Sequence, residues 1–211
     1  MKTIKLLTLL TIFIGFSSCS NDDDDDPVIL RVESESVSNL YAPQEGGFDQ
    51  MGNPLPITGE FTKFDFSSGT TTTSTTDWDI AFRGTNIIIN GGTSFGATDE
   101  PERTGNAAAY MENSTMANVL EVDVQLLQQD SATGYVLSNW YDYNPVNHII
   151  TPTAGKILVI RTRDGKYAKV EILSYYKDNP AEITTEIATN DARYYTFNYV
   201  NQPNEGVTTF E

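Results

Sequence analysis

The chain has 211 residues, with 29 Asp and Glu against 13 Lys and Arg, for a formal net charge of −16. So acidic a balance excludes nucleic acid, whose phosphates need clustered Lys and Arg, and argues against charge-driven binding to anionic lipid. With one histidine and one cysteine, Cys/His catalysis, cysteine zinc sites and any run of histidine metal ligands are also excluded.

The first residues carry Lys2 and Lys5, an apolar run follows from Leu6 to Phe16, and Ser17-Ser18 precede Cys19. A positive start, a short apolar stretch and small residues at the cut are the layout of a secretory signal peptide. The run is about eleven residues long, well short of the roughly 20 that cross a bilayer as a helix. The cysteine directly after the small pair reads as a lipobox. Residues 1–18 are then a signal peptide, and Cys19 becomes a lipidated N-terminus that ties the chain to a membrane. Lipidation also accounts for a thiol with no partner in the chain. Removal of the signal takes Lys2 and Lys5 and no acid, which leaves a charge near −18.

Residues 19–27 form the tether. Its aspartates, Asp22 to Asp26, repel one another and stay solvated. The run resembles the acidic export signal behind the lipid cysteine of surface-exposed lipoproteins in the Bacteroidota, which implies an outer-membrane, cell-surface location. Residues 28–211 are long enough for one domain with a real core.

Within that domain the periodicity is that of strands. Residues 61–66, 119–126 and 193–200 partly alternate and are rich in aromatic and β-branched side chains. Residues 156–162 and 167–173 flank Arg163-Asp164-Gly165-Lys166, which predicts a tight hairpin closed by a type I′ turn. Only residues 180–189 could carry a short helix. The predicted class is all-β and antiparallel. A Thr/Ser stretch at 69–76 and a Gly- and Ala-rich one at 90–113 break the pattern and read as loops, the second long enough to be functional.

The familiar catalytic arrangements are missing. No Gly-x-Ser-x-Gly elbow accompanies His148, and Gly91-Gly92 with Gly96 lacks the Lys-Ser/Thr that grips phosphate. Asp77 and Asp79 flank Trp78 and, as alternate residues of a strand, would share one face. They read as a solvated strand edge beside a buried tryptophan, not as the carboxylate pair of a glycosidase. The chain is therefore expected to be no enzyme.

Several stretches together resemble the HmuY family, haem-binding outer-membrane lipoproteins of the Bacteroidota. They are Asp77-Trp78-Asp79-Ile80-Ala81-Phe82-Arg83 with Asn90-Gly91-Gly92, then Trp140-Tyr141-Asp142-Tyr143, and residues 159–170 running on to Ser174-Tyr175-Tyr176. The resemblance implies a β-rich, hand-like fold with long loops at one end that hold haem, and delivery of the haem to a TonB-dependent outer-membrane receptor. It also implies two axial side chains on the iron, one in a loop upstream of the Trp140 position and one shortly after it. His148 fills the downstream position. The upstream segment, residues 125–135, holds neither His nor Met, so the nearest substitutes are Met111 and Met116. Bis-histidine ligation is impossible, whereas imidazole with thioether is a workable haem pair. Tyr110, Tyr141 and Tyr143 are the aromatics expected to cover the porphyrin faces. The alternative is an adhesive surface lipoprotein that binds a glycan or protein on the same scaffold and no haem.

Overall fold

The computed structural model describes residues 29–49 and 51–211; Cys19, the aspartate run and the expected signal sequence lie outside the described residues. Those residues form an antiparallel, nearly all-β architecture. A five-stranded sheet has the order β1 (Glu33–Tyr41), β13 (Ala192–Gln202), β12 (Tyr167–Tyr176), β11 (Lys156–Arg161), β8 (Ala108–Asn113). A four-stranded sheet runs β5 (Thr70–Thr72), β4 (Thr62–Asp65), β6 (Ile80–Arg83), β7 (Asn86–Ile89). Two separate hairpins, β2 (Glu45–Phe48) with β3 (Pro54–Thr58) and β9 (Tyr141–Asn144) with β10 (Ile149–Pro152), complete the strands.

The core lies between the two larger sheets, and alternation along the strands builds it. Phe64, Ile80, Phe82, Ile87 and Ile89 face it from one sheet; Ala109, Leu158, Ile160, Val170, Phe197 and Tyr199 face it from the other. Phe197 meets Phe64 edge-on at 5.5 Å and Phe82 at 5.9 Å between ring centres. The alternate residues point outward and are covered too. Tyr110, Ile157, Val159 and Tyr167 form a second cluster with Val119, Val122 and Phe210. Phe61, Trp78, Ala81 and Ile88 form a third on the far side of the four-stranded sheet.

Three sequence expectations need correction. Residues 119–126 alternate in sequence, yet they form no strand beyond an isolated bridge of Glu121 to Thr209. Val119 and Val122, three residues apart, are the ones buried, while Leu120, Val124 and Leu126 stay exposed. The segment is a lid pinned from below: Lys169 Nζ, itself buried, donates to the carbonyls of Met116 and Val119, both at 2.7 Å, and lies over the Phe210 ring.

The β11–β12 hairpin is present, with Arg161 opposite Tyr167, but its turn is not type I′. Of the turn residues only Gly165 has a positive φ, +85°, and Gly165 N–H donates to the Thr162 carbonyl at 3.3 Å. That is a type I turn closed by a left-handed glycine. Asp164, whose carboxylate accepts from the Thr162 hydroxyl at 2.7 Å, needs no left-handed backbone. Finally, Asp77 and Asp79 do not share a strand face: β6 starts at Ile80, Asp77 is exposed and Asp79 is fully buried.

The expected loop at 69–76 contains the short strand β5, and the one at 90–113 ends in β8. The short helix is Thr185–Asn190, its first turn capped by the Thr184 hydroxyl, which accepts from Ile187 N–H at 3.3 Å.

Candidate functional site

The Asp-Trp-Asp segment and its neighbours prove to be scaffold. Asp79 accepts the Phe66 N–H at 2.9 Å on one oxygen and the Arg163 N–H at 3.0 Å on the other. Arg163 Nη1 then reaches Asp79 at 3.2 Å and Asp65 at 2.8 Å. Burial, with Asp65 nearby, pushes the Asp79 carboxyl up to about 6, whereas the Asp65 carboxyl, with Arg163 and the Ser67 N–H bonded to it, lies below its ordinary range. Asn90 ties its loop down with both ends of its amide, donating to the Trp78 carbonyl at 2.8 Å and accepting from Thr104 N–H at 2.7 Å. Asp130 accepts from Ile89 N–H and Val136 N–H, both at 3.0 Å, and pairs with Arg103 at 3.1 Å. The long segment after Asn90 is thus held by buried polar side chains.

The residues expected to bind a porphyrin divide into groups. Tyr110 and Met116 belong to the outer cluster beneath the lid; the Tyr110 hydroxyl accepts from Asp123 N–H at 3.0 Å. Burial raises the Tyr110 phenol above its ordinary range. Met111, one residue further along β8, points to the opposite face of the sheet, pairs with Leu158 and packs against the central core. Tyr141 packs against the same core, beside Trp140 at 4.9 Å between ring centres.

Tyr143 and His148 come together at the far end of the β9–β10 hairpin. Tyr143, opposite Ile150, is on the same face of β9 as Tyr141, and its hydroxyl shares a hydrogen bond with His148 Nδ1. His148 is exposed and ends the turn with φ +58°, a left-handed conformation that His tolerates better than most residues. Asn144 and Asn147 side chains brace the turn by accepting from Val146 N–H at 2.9 Å and Ile149 N–H at 3.2 Å. Just before the arm, Trp140 Nε1 donates to the Thr85 carbonyl at 2.9 Å, and nearer the turn the Tyr176 hydroxyl accepts from Ile150 N–H at 2.8 Å. The hairpin is therefore a rigidly rooted arm that carries an aromatic face and the chain's one imidazole.

A cleft of about 500 Å³ lies between Pro56 and Ile57 of β3, Phe95 and Tyr135, with Arg83, Asn86 and Thr98 also lining it. A separate, smaller hollow of about 100 Å³ shares Asn86 and Tyr135 with it and reaches Tyr141 at the start of the arm. Phe95 and Tyr135 meet edge-on at 5.5 Å. Burial and the neighbouring Glu100 push the Tyr135 phenol up to about 12, so it stays protonated at neutral pH. Such a volume falls in the usual range for small-molecule sites, roughly 300–1,000 Å³.

A family model described as HmuY protein matches residues 58–199, about two thirds of the chain. The chain belongs to the HmuY family. Three solved structures are similar at low identity. The apo HmuY analog of Tannerella forsythia is 13% identical, with 84% of this chain and 100% of that one covered, at a TM-score of 0.48. A Bacteroides fragilis protein described as a lipoprotein is 14% identical, with 82% and 91% covered, at 0.44. A Bacteroides vulgatus protein described as HmuY-like and heme-binding is 14% identical, with 80% and 91% covered, at 0.39. No curated protein matches the chain. The matched span contains every part of the HmuY-like scaffold described above except β1, β2, most of β3 and the last residues.

The residues fit haem on one side. With Nδ1 engaged by Tyr143, the Nε2 of His148 is the ring nitrogen left for a metal, and a hydrogen bond on the other nitrogen is how proteins fix a ligating imidazole. Both thioethers, by contrast, are packed into core clusters. Sequence reasoning missed Arg83, Phe95 and Tyr135. Phe95 stood as one aromatic inside a Gly-rich stretch, and nothing local showed that β3 and residues 134–135 would fold against it.

Proposed function

We propose that this protein is a lipid-anchored surface protein that captures haem, with His148 as the one protein ligand to the iron. Membership of the HmuY family supports the class of ligand. The observation that carries the site is the Tyr143–His148 pair, held outward on a hairpin rooted through Trp140 and Ile150. Bound haem supplies an iron that takes up an imidazole nitrogen and a flat apolar body that seeks aromatic cover. Tyr143 orients the imidazole, and Tyr141 and Tyr143 offer one continuous aromatic face. The short turn limits the ordering entropy lost on binding. Anchoring through Cys19, exposure at the outer membrane and hand-over to a TonB-dependent receptor belong to the same reading, on the strength of the signal-like N-terminus.

Titration of the purified domain with haemin tests it. A shifted Soret band that His148→Ala abolishes is the expected result. An unshifted spectrum with the intact protein, or equal spectra with and without His148, removes haem capture at this hairpin. The adhesive alternative would then stand.

A further inference from the structure

Arg83 is the most unusual charged residue of the molecule. In a chain with a large excess of acids, its side chain is 1% exposed and forms no ion pair among the described residues. Nη1 donates to the Gly59 and Thr98 carbonyls, and the Phe61 ring lies behind the guanidinium at 4.3 Å. Nε is buried with no hydrogen-bond partner, and Nη2 has none among the described residues either. The other buried cations behave differently: Arg103 holds Glu100 and Asp130, and Lys169 holds two carbonyls. Buried guanidinium groups ordinarily find a carboxylate, because an unpaired buried charge costs several kcal/mol.

The uncompensated group lines the cleft of about 500 Å³, where Ile57, Phe95 and Tyr135 supply apolar and aromatic walls and Asn86 and Thr98 add polar ones. Ile57 and Phe95 are 42% and 51% exposed, so apolar surface lies open beside the charge. The hydroxyl of Tyr135 is a second buried polar atom there with no hydrogen bond within 3.5 Å, and it lies near the Glu100 carboxylate. Acids near the cleft are already engaged: Glu100 accepts from Ser94, Gly96 and Ala97, and Asp99 from Gly59.

We infer that this cleft binds the carboxylate of a flat, apolar ligand, with Arg83 pairing the carboxylate and Phe95, Tyr135 and Ile57 covering the ring. Guanidinium and carboxylate match in charge and in planar geometry. Since the smaller hollow that shares Asn86 and Tyr135 with this cleft reaches Tyr141, the carboxylate is that of a porphyrin, and to that extent the inference rests on the function proposed above. It does not involve iron.

Iron-free protoporphyrin IX and its dimethyl ester separate the two ideas. Titrated against the intact domain and read by quenching of its tyrosine and tryptophan fluorescence, the diacid is expected to bind. The ester should bind about tenfold more weakly, the scale of one lost charge-assisted hydrogen bond. Arg83→Met should reproduce that loss for the diacid. Because Arg83 also holds two loop carbonyls, Phe95→Ala serves as a second variant at an exposed position, and it too should weaken the diacid about tenfold. Equal binding of diacid and ester, no binding of either, or unchanged binding by Phe95→Ala would overturn the inference. A missing haemin Soret shift with diacid binding intact would sink iron ligation by His148 and leave the cleft standing.

Discussion

Asp79 and Arg163 stand 84 positions apart, yet a single carboxylate oxygen of Asp79 accepts both the backbone N–H of Arg163 at 3.0 Å and its Nη1 at 3.2 Å. The other oxygen takes Phe66 N–H at 2.9 Å. One buried side chain therefore fastens the four-stranded sheet to the turn of the β11–β12 hairpin. Replacing it with Ala leaves two amides without their acceptor and Arg163 with Asp65 as its closest remaining partner. Asp79→Ala should cost about 3–5 kcal/mol, at about 1–3 kcal/mol for each buried amide left unsatisfied. In a chain of this size that lowers the melting temperature by roughly 10 °C. A loss below about 1 kcal/mol in urea unfolding would show that the clamp is not one.

The same carboxylate sets a pH dependence. Burial raises it to about 6 in the folded chain, from 3.8 in the unfolded one. Between those values the folded state holds the proton that the unfolded state has released. The contribution of Asp79 is thus fully present below the unfolded value and declines as pH rises through the folded one. Asp65 works in the opposite sense: its carboxyl is lowered, so its contribution is present above the ordinary value and lost on acidification. The stability of the wild type minus that of Asp79→Asn, from urea unfolding between pH 4 and pH 7, should fall as pH rises through about 6. A difference that grows in favour of the wild type over that interval would reverse the sign of the Asp79 effect.

Gly91 is required by space. A Cβ there would lie 1.9 Å from the Ala107 carbonyl oxygen, and backbone cannot swing aside as a side chain can. Gly91→Ala must part the two segments and strain the bond between Ala107 N–H and the Asn90 carbonyl, 3.0 Å long. The expected cost is about 1–3 kcal/mol. Gly96, with φ +92° and open space around it, should lose only about 1 kcal/mol, from backbone strain. Similar melting temperatures for the two variants would contradict the packing argument.

Strand type was legible because sheet burial prints an alternating pattern. In β11 and β13 the alternate residues face two different clusters, and both were read as strands. Residues 119–126 carried a similar pattern and failed as a strand. Their partner is the buried amine of Lys169 and the C-terminal Phe210, far away in sequence, and not a neighbouring strand. His148 was legible as the chain's single imidazole, but its bond to Tyr143 depends on how the turn closes. Arg83 was read as part of a motif, and its missing ion pair can be seen only once the surrounding acids have found other partners.

The two methionines supply a last test of the hairpin. Met116 packs beneath the 119–126 lid, and its carbonyl accepts from Lys169 at 2.7 Å; Met111 packs against the core on the opposite face of the sheet. Both are partly buried, so releasing either thioether for iron would give up a part of the roughly 1.5–3 kcal/mol that full burial is worth. Haem held by His148 should therefore be five-coordinate from the protein's side, with a high-spin ferric spectrum. Met116→Leu and Met111→Leu preserve volume at each site, so each should cost less than about 1.5 kcal/mol in stability. Both should leave the ferric and ferrous spectra as they are in the wild type. A low-spin spectrum that either substitution converts to high-spin would show that a methionine leaves its core on binding, and that haem capture rearranges the sheet face where that methionine now packs.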